Sequence, residues 1–296
     1  MQLKTYAITT ILIFIVTACY CQTSEVVFGN YLHKRIEREY IYFSPTNLPI
    51  NSPLIVALHG FTGNAETIMD YSKFNTLAKA NNFAVVYPQG TKDKKSNTFW
   101  NVGYDFHADI KTDDVDFIVK LVDHLQKKYL LSAQNIFLTG MSNGGEMCYL
   151  LACRHPDIFS AIAPVAGMML DGFFNDCDTN NTMPIFATFG TNDVITNYDG
   201  DPNNKDGWGA YQSIPYTIDF WANALNCSSV NIDTLPNKSL KDSSFILREQ
   251  YLNAKTKKQV LFYKVINGGH DWPGAWGNMD INLSDDIWSF FKQYKK

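Results

Sequence analysis

Basic runs are missing from this chain, and its 25 Lys+Arg against 29 Asp+Glu leave a formal charge of −4. Without a clustered positive surface there is no electrostatic footprint for nucleic acid or anionic lipid, so neither is expected as a partner. Six cysteines and six histidines are present, but none of their spacings resembles a zinc site, and no metal or cofactor is expected. Internal repeats, low-complexity tracts and linkers are absent as well, which excludes a solenoid or a second module. Long apolar runs are scarce too. Tyr6 to Val16 is short for a bilayer-spanning helix, and with Lys4 before it and Thr17-Ala18 after it the first 21 residues have the layout of a cleaved secretory signal. An uncleaved anchor is the alternative. Val16-Thr17-Ala18-Cys19 also resembles a bacterial lipobox, in which Cys19 would carry the lipid anchor.

The full chain of 296 residues is 46% hydrophobic and 14% aromatic, and what is there is one globular domain over 22–296, large enough to bury roughly three quarters of its unfolded surface. Arg38 to Phe43 alternates as an opening strand after a short polar lead-in. Pro53 to Leu58, Phe83 to Tyr87, Ile136 to Thr139, Phe159 to Val165 and Ile185 to Phe189 are continuously apolar, as strands covered on both faces must be. Helical spacing fills Ala65 to Asn81, Asp113 to Leu131, Pro215 to Asn226 and Leu283 to Tyr294, with Asp113-Asp114 as a cap. Ile246 to Leu252 and Val260 to Ile266 complete the strands. Such alternation predicts a three-layer α/β fold, a mostly parallel central sheet with helices on both faces. The insertion Asp199 to Gly209 fails a calcium-loop pattern, with Asn204 at its sixth position and Ala210 at its twelfth, and reads as a solvated loop.

The chemistry starts from Gly140-Met141-Ser142-Asn143-Gly144, set between an apolar strand and an apolar helix. A serine at such an elbow is held at a strained backbone angle, its neighbours two residues away must be glycine, and its hydroxyl stands out at the carboxyl end of the sheet. Its base and acid follow later in the chain, the acid first. His33, His59, His107 and His124 precede Ser142 and His155 ends the serine's own helix, which leaves His270, within Gly268-Gly-His-Asp-Trp-Pro-Gly274. For the acid, Asp193 lies in the turn directly after a buried strand, with Asp199 and Asp201 as rivals. His59-Gly-Phe-Thr-Gly63 after the first buried strand is placed to supply one backbone N–H of an oxyanion hole from Phe61 or Thr62, and Asn143 the other. His59 itself braces that loop. Cys148 and Cys153, five apart on one helix, face different ways and read as core residues, while Cys177 and Cys227 are the pair able to bridge in an oxidising compartment.

These blocks together, LIVALHGFTGNA, VVYPQGT, Trp100-Asn101, DDVDFI, GMSNGG, FSAIAPVAG, FGTND, GGHDWPG and WSFF, resemble the secreted family of feruloyl esterases, acetylxylan esterases and polyhydroxybutyrate depolymerase-like enzymes. The resemblance covers most of Pro53 to Phe291. It implies an α/β-hydrolase fold, a Ser142–His270–Asp193 triad, an oxyanion hole from Phe61 and Asn143, and two-step acyl transfer on a small ester or an esterified polysaccharide. Trp100, Trp208 and Trp272 are then candidates to stack on a feruloyl ring or a sugar. The chain departs from the family at Phe61 and Phe189, where relatives often carry cysteine or histidine, and in its longer 199–209 insertion. The leading expectation is a feruloyl or related acyl ester of plant cell-wall polysaccharide. The alternatives are polyester depolymerisation, acetylxylan deacetylation, peptide hydrolysis by the same fold, and a catalytically silent binding module.

Overall fold

The computed structural model describes residues 25–296, so the leader and the lipid-anchor reading at Cys19 lie outside the described residues. Strands β1 (Glu25–His33) and β2 (Ile36–Ser44) form an antiparallel hairpin. Next come β3 (Leu54–Leu58), α1 (Ala65–Ser72), α2 (Phe74–Asn81) and β4 (Ala84–Pro88). The stretch 91–112 holds a two-stranded ribbon, β5 (Thr91–Lys92) with β6 (Thr98–Phe99), and a 3-10 turn at Asp105–His107. It leads into α3 (Asp114–Tyr129), β7 (Ile136–Met141), α4 (Asn143–Arg154), β8 (Ala161–Val165), a short α5 (Asp171–Phe174), β9 (Ile185–Gly190) and α6 (Ile214–Ala224). The chain continues through β10 (Ser229–Thr234), β11 (Phe245–Leu252), β12 (Gln259–Ile266) and α7 (Leu283–Lys292).

Ten strands form one sheet in the order β1-β2-β4-β3-β7-β8-β9-β12-β11-β10. From β4 to β12 all neighbours are parallel, and the outermost pairs on each side are antiparallel. Side chains alternate across each strand. Leu54, Val56 and Leu58 of β3 join Ile118, Leu121, Leu151 and Trp221 on the α3, α4 and α6 side, while Ile55 and Ala57 join Ile68, Phe74, Ile287 and Phe291 on the α1, α2 and α7 side. Burial on both faces is why these strands are continuously apolar, and why their polar loops gather at the sheet ends.

Several expectations need correction. The lead-in before Arg38 is a strand, β1, whose inward Val27 and Tyr31 pack on the core while its outward Phe28 and Leu32 are exposed, so apolar residues on both faces obscured its alternation. The helix expected over 65–81 breaks at Lys73, which adopts a left-handed φ of 55° and caps both halves. Strand β10 is exposed at every position, so it too lacks a periodic signal. Of the two acids at the α3 start, Asp113 is the cap, accepting from the Asp116 amide, and Asp114 is buried against Arg38 at 2.6 Å. The 199–209 insertion is a loop exposed at Asp199, Pro202, Asn203, Lys205 and Asp206, as expected, but it is anchored by the buried Asp201, which accepts the Asp206 amide at 2.8 Å.

The Cys177–Cys227 bridge is not formed. Cys177, just past α5, pairs with Cys153 near the end of α4, their Cα atoms 4.6 Å apart. Cys227 keeps its thiol, which donates to the Tyr251 carbonyl at 3.4 Å. Counting faces on α4 rightly separates Cys148 from Cys153, but it says nothing about a partner arriving from another helix. Cys148 is a buried thiol, as expected.

Candidate active site

Ser142 joins β7 directly to α4 at φ 57° and ψ −122°, a conformation few side chains adopt without support. The support is close backbone packing. A Cβ on Gly140 would lie 2.5 Å from the Gly144 carbonyl, and one on Gly144 would lie 2.2 Å from the Leu58 oxygen. Both flanking positions therefore admit only glycine. The Ser142 amide donates to the Val165 carbonyl at 2.8 Å, which fastens the elbow to β8.

Asp193 follows β9 and His270 follows β12, neighbouring parallel strands whose loops leave from the same edge as Ser142. Their carboxylate and ring meet, with His270 Nδ1–H donating to Asp193 Oδ2 at 2.7 Å. The other carboxylate oxygen accepts the Ile195 and Thr196 amides at 2.8 and 2.9 Å, so the acid cannot swing away. With Nδ1 engaged, Nε2 is left as the basic nitrogen. The two loops share one backbone seam. A Cβ on Gly190 would stand 2.3 Å from the Gly269 oxygen, and the Asn192 amide donates to the Gly268 carbonyl at 2.8 Å. Among the described residues the Ser142 hydroxyl makes no hydrogen bond, that to His270 included. In free enzymes such bonds are often long and tighten only around substrate.

The loop after β3 is braced by His59. Its Nδ1–H donates to the Gly60 carbonyl at 2.8 Å, its Nε2 accepts the Gly90 amide at 2.9 Å, and its carbonyl takes the Trp100 indole N–H at 2.9 Å. Burial pushes this imidazole down to about 4, so it is neutral and structural. The Thr62 amide donates to the Thr98 carbonyl at 2.8 Å, which removes Thr62 from the expected pair of donors. The Phe61 amide, and that of Asn143 at the first position of α4, have no acceptor among the described residues. Such free N–H groups, one of them at a helix N-terminus, suit developing negative charge.

Two expected stacking residues are misplaced. Trp100 is fully buried, its backbone gripped by the Asn143 side chain at 2.6 and 3.0 Å, and it fixes the site from behind. Trp272 is buried against Tyr71 and Phe74, with its indole N–H on Ser284, and is core. Trp208 is half-buried and packs on Phe61 at 5.8 Å and Phe106 at 5.5 Å. Phe106, 49% exposed, and Tyr104 belong to the same aromatic wall and went unmarked in the sequence. Glu146 was also missed, although it is the only charged side chain between Ser142 and Arg154. A lone carboxylate in an apolar helix, one turn past the serine, was the available signal.

A serine elbow, an acid and histidine from two later parallel strands, and a loop amide facing a helix N-terminus define the α/β-hydrolase class. A sequence model of the family described as Esterase PHB depolymerase matches residues 39–247, and the chain belongs to that family. Phe61, Ser142, Asn143 and Asp193 lie within the match, and His270 lies beyond it.

The chain is 29% identical over 161 residues to a bifunctional acetylxylan esterase/xylanase of Neocallimastix patriciarum, covering 54% of this chain and 22% of that one. It is 32% identical over 123 residues to poly(3-hydroxyalkanoate) depolymerase C of Paucimonas lemoignei, covering 42% and 30%. Acetylxylan esterase A of Aspergillus oryzae is 31% identical over 142 residues, covering 47% and 44%. The chain thus spans less than half the length of each of these relatives. Among solved structures, acetyl xylan esterase from Aspergillus awamori superposes with a TM-score of 0.62 at 18% identity, covering 90% of this chain and 99% of that one. A ferulic acid esterase superposes at 0.54 and 14% identity, covering 89% and 98%. At these identities the likeness establishes the fold. No helix of the described residues is long and apolar enough to cross a membrane.

Proposed function

We propose that this chain is an exported serine esterase, residues 22–296 acting as one catalytic domain, which cleaves carboxylic esters through Ser142, His270 and Asp193. The observation that carries the reading is the union of a strained serine with an Asp193–His270 pair at 2.7 Å on one edge of the sheet. His270 Nε2 takes the Ser142 proton as the oxygen attacks the ester carbonyl. The amides of Phe61 and Asn143 hold the oxyanion, each worth roughly 3 to 4 kcal/mol in the transition state. Asp193 accepts from Nδ1–H and steadies the imidazolium, which returns the proton to the departing alcohol. Water then enters, gives its proton to His270, and releases the acid from the serine.

The preferred substrate is a feruloyl or related acyl ester on plant cell-wall polysaccharide. The half-buried Phe61 and Trp208 and the exposed Phe106 beside them support it, since together they offer aromatic faces for a phenolic ring or a sugar. The family description and the Paucimonas relative favour a second reading, hydrolysis of an aliphatic polyester. Turnover of methyl ferulate, acetylated xylan, p-nitrophenyl esters and a polyhydroxybutyrate suspension by the mature protein separates these, with Ser142→Ala as control. Activity on the polymer alone refutes the feruloyl assignment. Amide cleavage faster than ester cleavage, or a Ser142→Ala variant as active as the wild type, refutes the esterase.

A further inference from the structure

Glu146 has no part in the acyl transfer derived above, yet it sits one turn along α4 from Ser142 and is 1% exposed. The Tyr104 hydroxyl donates to its Oε2 at 2.5 Å, and the Asn143 side-chain amide approaches the same oxygen at 3.5 Å. Asn143 in turn clasps the Trp100 backbone through both ends of its amide. On the other side the buried Tyr104 ring lies against Phe61 at 6.3 Å and Trp208 at 5.1 Å. The carboxyl–phenol pair therefore spans the two segments that carry the free amides: Asn143 on the helix and Phe61 on the loop. A buried charge at this position has no structural advantage, because an apolar residue would fill the space without desolvation loss.

We propose that Glu146 and Tyr104 are positioning residues that hold the Phe61 and Asn143 amides in register, and that Glu146 adds a second proton to the acid limb of the activity. The inference rests on the ester-hydrolysis reading. As a carboxylate, Glu146 is met by two donors, and its charge favours the imidazolium that forms on His270, the other titratable group besides Tyr104 that interacts with it. Once protonated, it offers that cation nothing. Burial pushes its ionisation up to about 7, within the range where an esterase is assayed.

The test is p-nitrophenyl acetate hydrolysis from pH 5 to 9 by the wild type, Glu146→Gln, Tyr104→Phe and the double variant, with folding followed by circular dichroism. In the wild type, log kcat/KM falls with a slope above one on the acid side. Glu146→Gln reduces that slope to one and lowers kcat between about 10- and 100-fold, the range expected for misplaced catalytic groups, while KM changes little. Tyr104→Phe removes a donor from the carboxylate and moves the acid limb to higher pH, and the double variant behaves as Glu146→Gln alone. A Glu146→Gln enzyme with wild-type kcat and an unchanged acid limb overturns the proposal, as does additivity in the double variant. Should Glu146→Gln not fold, Tyr104→Phe decides, and an unmoved limb overturns it. A wild type without turnover removes the esterase reading and this inference together, whereas an active wild type with an indifferent Glu146→Gln removes this inference alone.

Discussion

Replacing Glu146 by glutamine deletes a buried ionisable group while keeping its shape and its acceptor for Tyr104, so the effect on stability isolates one titration. Burial moves the carboxyl from an ordinary 4.5 to about 7. The unfolded chain releases this proton first, so the group's contribution to stability is complete below pH 4.5 and is lost as pH rises through 7. At 1.36 kcal/mol per pH unit the whole window is worth about 3 kcal/mol, of which about 2 kcal/mol falls between pH 5 and 7.5. Glutamine does not titrate. The stability of Glu146→Gln relative to the wild type is therefore expected to improve by about 2 kcal/mol on going from pH 5 to pH 7.5. Urea unfolding followed by tryptophan fluorescence at both pH values measures it, and referring the variant to the wild type cancels every titration they share. A difference that is the same at pH 5 and 7.5 would refute the reasoning, since it would mean the folded protein holds Glu146 ionised across the whole range.

His59 works with the opposite sign. Its imidazole, lowered by burial to about 4, stabilises the fold above pH 6.5 and ceases to do so as pH falls toward 4, costing about 2 kcal/mol by pH 5; a His59→Gln variant whose stability keeps that acid dependence would contradict it. Cys153→Ser and Cys177→Ser each open the same loop of 24 residues and are expected to lose about 3 kcal/mol, whereas Cys227→Ser changes stability by less than about 0.5 kcal/mol. Peptide mapping without reduction should recover the 153–177 pair, and recovery of 177–227 instead would reverse the assignment. Asp193→Asn leaves the shape of the acid but favours the wrong imidazole tautomer, so kcat for p-nitrophenyl acetate should fall by about 10⁴-fold with KM little changed. A loss under tenfold would point to another acid. Gly144→Ala, whose methyl would sit 2.2 Å from the Leu58 oxygen, should fail to fold or lose all turnover, and a fully active variant would refute the elbow packing.

The sheet centre was legible because its strands are buried on both faces and so declare themselves as apolar runs, from Leu54–Leu58 to Ile185–Gly190. Chain order and turn chemistry singled out Asp193 and His270, whose side chains meet at 2.7 Å, and Ser142, which stands at a positive φ between strand and helix. Legibility failed where burial and periodicity part company. β10 is an edge strand exposed at every position, β1 is an edge strand whose outward face carries the apolar Val26, Phe28 and Leu32 and so blurs its alternation, and Lys73 breaks a helix without a glycine or proline to mark the place. The disulfide depends on where α5 meets the end of α4, a relation no spacing encodes. Trp100 and Trp272 show the limit of reading side chains by neighbourhood. Trp272 lies two residues past His270 and Trp100 in a loop that reaches Asn143, yet both point into the protein, because a large apolar ring next to a rigid loop is most stable as its foundation. Thr62 failed for a related reason, its amide being taken by Thr98 on an adjoining ribbon.

The contact between Asp193 and His270 closes a segment of 77 residues, and the hairpin of β10 and β11 lies inside it. A nascent or clipped polypeptide that stops before β12 lacks His270, the residue proposed to accept the serine proton. Under the proposed mechanism, turnover would therefore require the chain through β12 and the loop that follows it.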